Sequence, residues 1–199
     1  MKKEDSDRFS RVEQQLLDLG EPLTVSQLSS LPFATYDELK ALHSNREISF
    51  GSDYDGDFLQ VIGTKSDNII HAIWVSLPIL LVIADIVLAI FFKRWILLLG
   101  IPFALLGFGS SSPYSPIKNV VSGLGGLAFV GSFFFLDWVW SCIIGTMLFS
   151  QIFTMTAREQ YRMVVEERAL YSEIFFCYMF KNSHIVVKDN KSNRIYKAN

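Results

Sequence analysis

Between Ile69 and Thr156 this chain almost lacks charge: Asp85, Lys93, Arg94, Lys118 and Asp137 are its only acidic or basic residues there. A soluble helix needs a polar face, so this stretch is expected to be dissolved in lipid. Cysteine is scarce as well. Cys142 and Cys177 lie far apart, which excludes a disulfide or thiolate–metal framework and leaves both as small apolar packing residues. The three histidines, His43, His71 and His184, fall in different parts of the chain with no His or Cys partner at i+3 or i+4. No HExxH, GxSxG or CxxC pattern occurs. Neither an enzyme nor a bound cofactor or metal is expected. The polar start, Met1 to Asp7, does not resemble a cleavable signal, so the first apolar span is expected to serve as the targeting signal.

Charge divides the chain into three blocks. Residues 1–68 carry seven basic and thirteen acidic groups, the apolar middle is close to neutral, and residues 157–199 carry eight basic and five acidic. An acidic head and a basic tail therefore flank the apolar block 69–156.

A membrane-spanning helix needs about 20 apolar residues. Candidate spans lie near 71–92, 95–112, 119–136 and 138–156. The second is the shortest and trails into Ser110-Ser111-Ser112-Pro113, so a re-entrant half-helix is its alternative. Lys93-Arg94 and Asp137 mark turns too short to join anything but antiparallel neighbours. The basic residues alone favour three spans. Four spans place Trp95, Trp138 and Trp140 at one interface, keep the head unexported, and put both termini in the cytoplasm. The expected class is an all-α integral membrane protein with about four transmembrane helices in two tight hairpins. A small helical N-terminal domain and a helical C-terminal extension ending in a β-hairpin complete it. The cytoplasmic (inner) membrane is its place if it is bacterial.

Asp85 is the sharpest residue inside the apolar block. An ionised carboxylate there costs about 2.5–3.5 kcal/mol even on the lenient insertion scale, so it is expected to face protein or water. It is either a proton or cation site or a carboxyl hydrogen-bonded to a neighbouring helix. Small residues also recur at four-residue spacing: Ser122 with Gly126, Ala128 with Ser132, Ser141 with Gly145, and the row Cys142, Thr146, Ser150, Thr154. Each row lies on one helix face, and small faces let membrane helices approach. They point to packing of the third span on the fourth, or to a face left for another subunit.

The ends are expected to fold. Phe9, Val12, Leu16 and Leu19 repeat at helical spacing up to Gly20-Glu21-Pro22. Thr24 suits a short second helix, and Thr35 with Glu38 has capping-box form. Ile48 and Phe50, then Phe58 and Val61, suggest a hairpin around Gly51–Asp57. The Asp53–Asp57 loop lacks the spacing of a calcium site. The head is too acidic for a nucleic-acid reader. From Ala157 to Phe180 the sequence stays helix-compatible, and an unbroken helix 138–180 would run about 65 Å. Phe175, Phe176 and Phe180 make its end apolar enough to need cover: the head, a partner subunit or the membrane surface.

These features favour a non-catalytic membrane subunit, a scaffold or anchor in a larger secretion, conjugation or respiratory assembly. Its partners would be the lipid bilayer and other membrane subunits or copies of itself. The alternative is a small oligomeric ion or proton pore that uses Asp85.

Overall fold

The computed structural model describes residues 3–18, 24–112 and 115–198, with side chains from Phe9 onward. Leu19, the Gly20–Pro22 stop and Pro113 lie outside them. The chain is mostly helical (73%) and divides into two compact units, residues 1–68 with 161–199, and residues 69–160. Thus the acidic head and most of the basic tail are one unit.

That polar unit begins with α1 (Lys3–Asp18), which buries Phe9 and Leu16 with Val12 packed beside them. A single 3-10 turn follows at Val25–Gln27. Helix α2 (Tyr36–Ser44) starts at Thr35, whose hydroxyl accepts the Glu38 N–H at 3.2 Å, while the Glu38 carboxylate accepts the Ala34 N–H at 2.9 Å. Strand β1 (Ile48–Gly51) comes next. Residues 56–62 are then a helix, α3 (Gly56–Ile62), and not the second arm of a hairpin. Asp55 decides this: its carboxylate accepts the N–H groups of Asp57 and Phe58 at 3.1 and 3.0 Å, and such a cap starts a helix. Phe58, Leu59 and Ile62 then share the buried face and Val61 is exposed.

The partner of β1 comes from the tail. Strand β2 (Val186–Asp189) pairs antiparallel with β1, Phe50 opposite Val187, and on its other edge with β3 (Ile195–Tyr196). The long helix expected to reach Phe180 breaks at Ser172, whose extended backbone (φ −143°, ψ 135°) separates α7 (Trp138–Tyr171) from α8 (Glu173–Lys181). Ser172 then accepts the Phe176 N–H at its carbonyl, opening a new helix. The break turns Phe175, Phe176, Cys177, Met179 and Phe180 into one core with Phe9, Leu39, Phe50, Phe58 and Ile62. Of the three covers open to these phenylalanines, the head is the one present.

Arg168 joins several of these pieces. Its buried guanidinium donates to the Ile62 carbonyl (3.2 Å) and to Glu167 (3.1 Å), lies 3.5 Å from Asp67, and stacks 4.3 Å from the Phe9 ring centre. Asp67 in turn accepts both the N–H and the hydroxyl of Thr64 at 2.8 Å, which caps the next helix.

The apolar unit contains most of α4 (Lys65–Phe91), a 3-10 stretch Trp95–Leu99 that continues into α5 (Gly100–Ser110), α6 (Lys118–Phe135) and the first part of α7. Helices α4, α6 and α7 are long and apolar enough to cross a membrane, and Trp95–Ser110 is a shorter apolar helix. Helix α4 stops with Lys93 in the left-handed region (φ 54°) and the Arg94 N–H bonded to the Ala89 carbonyl. Arg46 (φ 59°) after α2 and Ser183 (φ 59°) after α8 close their helices by the same i to i−5 bond, the Schellman form that usually carries glycine. The Asp137 carboxylate accepts the Val139 N–H at 3.2 Å and opens α7. The unit is inside-out relative to a soluble bundle. Leu105, Leu124, Leu127 and Phe133–Phe135 are exposed, and Asp85, Ser132, Thr146, Ser150 and Gln151 are buried.

Candidate functional site

Asp85 sits about three-quarters of the way along α4 and is 3% exposed. The Thr146 hydroxyl of α7 donates to its Oδ2 at 2.7 Å. Gly100, the first residue of α5, supplies the space: a Cβ there would collide with the carboxylate. Three helices thus meet at one carboxyl. Next to it, Ala89, Leu97, Val139 and Ile143 form an apolar cluster, with Cys142 and Phe103 packed against it.

Helix α5 carries a buried row of small residues outside the rows picked out above. Gly100, Ala104, Gly107 and Ser110 are all buried on one face. At Gly107 a Cβ would meet the Met147 carbonyl and lie 3.2 Å from the Gln151 amide nitrogen, so backbone lies against backbone. The signal was available, because the row obeys the small-residue spacing already applied to the next two helices.

For α6 the expected face needs correction. The contact with α7 uses Gly125, Phe129 and Ser132, not Ser122, Gly126 and Ala128. Ser132 donates to the Ser141 hydroxyl at 2.8 Å, Gly125 lies against the Met147 methyl, and the Phe129 ring lies over Gly145, 2.9 Å from where its Cβ would be. The aromatic ring needs the gap that Gly145 leaves, and this rotates the helix. Ser122 and Ala128 are exposed, and a Cβ at Gly123, Gly126 or Gly131 would have open space. The Ser122 hydroxyl is satisfied by its own helix, at the Lys118 carbonyl. Gly145, Thr146 and Ser150, by contrast, are buried within the chain.

Helices α4 and α7 run antiparallel, as three contacts fix: Asp85 with Thr146, the Trp74 ring 5.9 Å from that of Phe153, and the His71 imidazole hydrogen-bonded to the Ala157 backbone. His71, Pro78 and Asp85 are seven apart and share one face of α4. Facing them, Thr146, Ser150 and Thr154 are buried at four-residue spacing on α7. The Thr154 hydroxyl donates to the Ser150 carbonyl at 2.8 Å, whereas the Ser150 hydroxyl has no hydrogen-bond partner.

The other histidines are engaged in the polar unit. His43 lies 3.0 Å from Glu166 and stacks on Phe50. His184 stacks face to face on Phe58, ring centres 3.7 Å apart, and burial lowers its pKa against the weaker opposing pull of Asp55. Among the described residues, no cluster of three or more His, Cys, Asp or Glu is placed to hold a metal ion. Comparison with protein-family models, curated proteins and solved structures finds no match.

Proposed function

We propose that this chain is a non-catalytic multispanning membrane subunit whose α6 docks against a transmembrane helix of another protein in a larger membrane assembly. The observation that carries this reading is the side of α6 turned away from α7, where exposed Ser122 lies within about 100° of Gly123 and Gly126 around the helix and a Cβ at either glycine would meet nothing. Glycine in a helix interior costs about 0.5–1 kcal/mol relative to alanine, and lipid gains nothing from it. A second helix at close approach does. His43 and His184 support the non-catalytic part, since each is stacked on a phenylalanine ring.

The polar unit supports a reading with four spans. Its core and sheet use residues from both sides of the apolar block, so the chain returns to the side it left and crosses an even number of times. Trp95–Ser110 supplies the fourth crossing. Five 3-10 and eleven α residues rise about 26 Å in all, close to the ~30 Å of hydrocarbon. The two hairpins then turn at Lys93-Arg94 and Asp137 on the far side. Lys65, Lys118, Arg158 and Arg162 fall on the side of both termini, which the positive-inside rule makes the cytoplasm.

Purification from native membranes in mild detergent, with Gly126→Leu beside the unaltered chain, tests the docking face. Gly126 has open space, so the variant keeps its fold, and a membrane protein bound stoichiometrically to the unaltered chain is expected to be lost. An unaltered chain that purifies alone, or a variant that keeps every partner, defeats the proposal. An impermeant thiol reagent on Lys93→Cys and Asn190→Cys tests the topology, with labelling from opposite sides expected.

A further inference from the structure

The buried hydroxyl of Ser150 is the best-defined unmet demand in the apolar unit. The side chain is 0% exposed and without a hydrogen-bond partner. In a protein interior such a group is satisfied by ordered water. The antiparallel register places it opposite the Pro78 region of α4. Pro78 is inside that helix and has no N–H, so the Trp74 carbonyl four residues earlier loses its usual donor. The seam thus has the Ser150 hydroxyl on α7 and, on the facing helix, a carbonyl that Pro78 leaves without its usual helical donor.

We propose that this seam holds a file of internal water seated on Ser150, which connects Asp85 to His71 and passes protons between them. The spacing suits it. Thr146, Ser150 and Thr154 are four residues apart, about 6 Å along the helix. One water making two O–H···O bonds of about 2.8 Å spans such a gap. Asp85 is bonded to Thr146 at one end, and His71 is bonded to Ala157, one turn beyond Thr154, at the other. The path is about 16 Å long, taken as eleven residues of α7.

In the transfer, an N–H bond of protonated His71 breaks as the adjacent water oxygen gains a proton. Each water or hydroxyl in turn gains one proton and releases another. The last forms an O–H bond on the Asp85 carboxylate. No electrons change hands, and water is the only co-reactant. Of the other charged groups of the unit, Lys93, Arg94, Lys118 and Asp137 lie in or beside its turns, and Arg158 and Glu159 follow Ala157 on α7, at the His71 end of the path. The inference is independent of the docking face on α6, which is the opposite demand on a different helix.

A pH jump on the full chain in lipid vesicles, followed by time-resolved infrared spectroscopy, tests it. A carboxylic-acid C=O band that is missing in Asp85→Asn is expected to grow as Asp85 takes the proton. In Ser150→Val, which removes the hydroxyl, it should grow about tenfold more slowly, and in Ser76→Val, at an exposed hydroxyl of α4, at the unaltered rate. An Asp85 band that does not respond to pH, or one that responds as fast in Ser150→Val, overturns the proton path. A measurement on the unaltered chain covers the event that a variant misfolds. Water-edited solid-state NMR in lipid should show polarisation passing from water to Ser150 and Thr154. If both stay dark while serines of the polar unit respond, the water file is absent.

Discussion

Adding one methyl group at Gly107 and another at Gly126 should move stability in opposite directions. Both glycines are helical, so each alanine gains at most about 1 kcal/mol of helix propensity. At Gly126 nothing lies within 4 Å of the new Cβ, and that gain is the whole effect. At Gly107 the Cβ meets the Met147 carbonyl and the Gln151 nitrogen. These are backbone atoms of α7 that no rotamer change can move, and overpacking of this kind costs about 1–3 kcal/mol. The propensity gain largely cancels between the two variants, so their difference isolates the overpacking cost. Gly145→Ala should fall between them, because its obstacle is the Phe129 ring, which can swing. Unfolding in mixed micelles at rising SDS fraction, followed by tryptophan fluorescence, gives the ranking. If Gly107→Ala is as stable as Gly126→Ala, the backbone contact of α5 with α7 does not exist as described.

Three further outcomes concern the polar unit. Ser183→Gly places glycine at a left-handed helix end and should stabilise by about 1 kcal/mol, read as a rise in the unit's thermal midpoint; a fall would contradict the αL geometry. Arg168→Met removes buried bonds to Ile62 and Asp67 and should destabilise by about 2–3 kcal/mol, seen as faster protease cleavage of the native chain; unchanged cleavage would reduce Arg168 to a packing residue. His184 has a folded pKa below its ordinary 6.5, so the unfolded chain takes the proton first. Its contribution is complete above pH 6.5 and is lost as pH falls below that value. Denaturant midpoints taken from pH 8 to pH 5 should therefore drop, and drop less in His184→Asn. Equal slopes would remove His184 as the cause.

Local signals were readable in proportion to how local their physics is. The Thr35–Glu38 cap, the period of Phe9, Val12 and Leu16, and the long apolar helices each depend on residues within a turn or two. Asp85 is expected to face protein or water because the cost of exposing it to lipid is set by the residue alone. Residues 56–62 were ambiguous, since Phe58 and Val61 suit a strand until Asp55 is recognised as a cap. The break at Ser172 and the ends at Arg46, Lys93 and Ser183 carry no proline or glycine, the residues by which such points are usually read. The pairing of Phe50 with Val187 had no local trace at all. The α6 face was off by one position because a large ring, Phe129, and not another small residue, fills the notch at Gly145.

The strand pair β1–β2 also sets a clock on biogenesis. The first 68 residues emerge from the ribosome with Phe50 and Phe58 already made, but their cover, Phe175–Phe180 and Val187, is synthesised only after every helix of the apolar block. Until then the head has an open strand edge and an unfilled core, the two features that attract chaperones and proteases. The chain is thus protected only when its two distant ends meet, and a product stalled partway through translation carries its own mark for disposal.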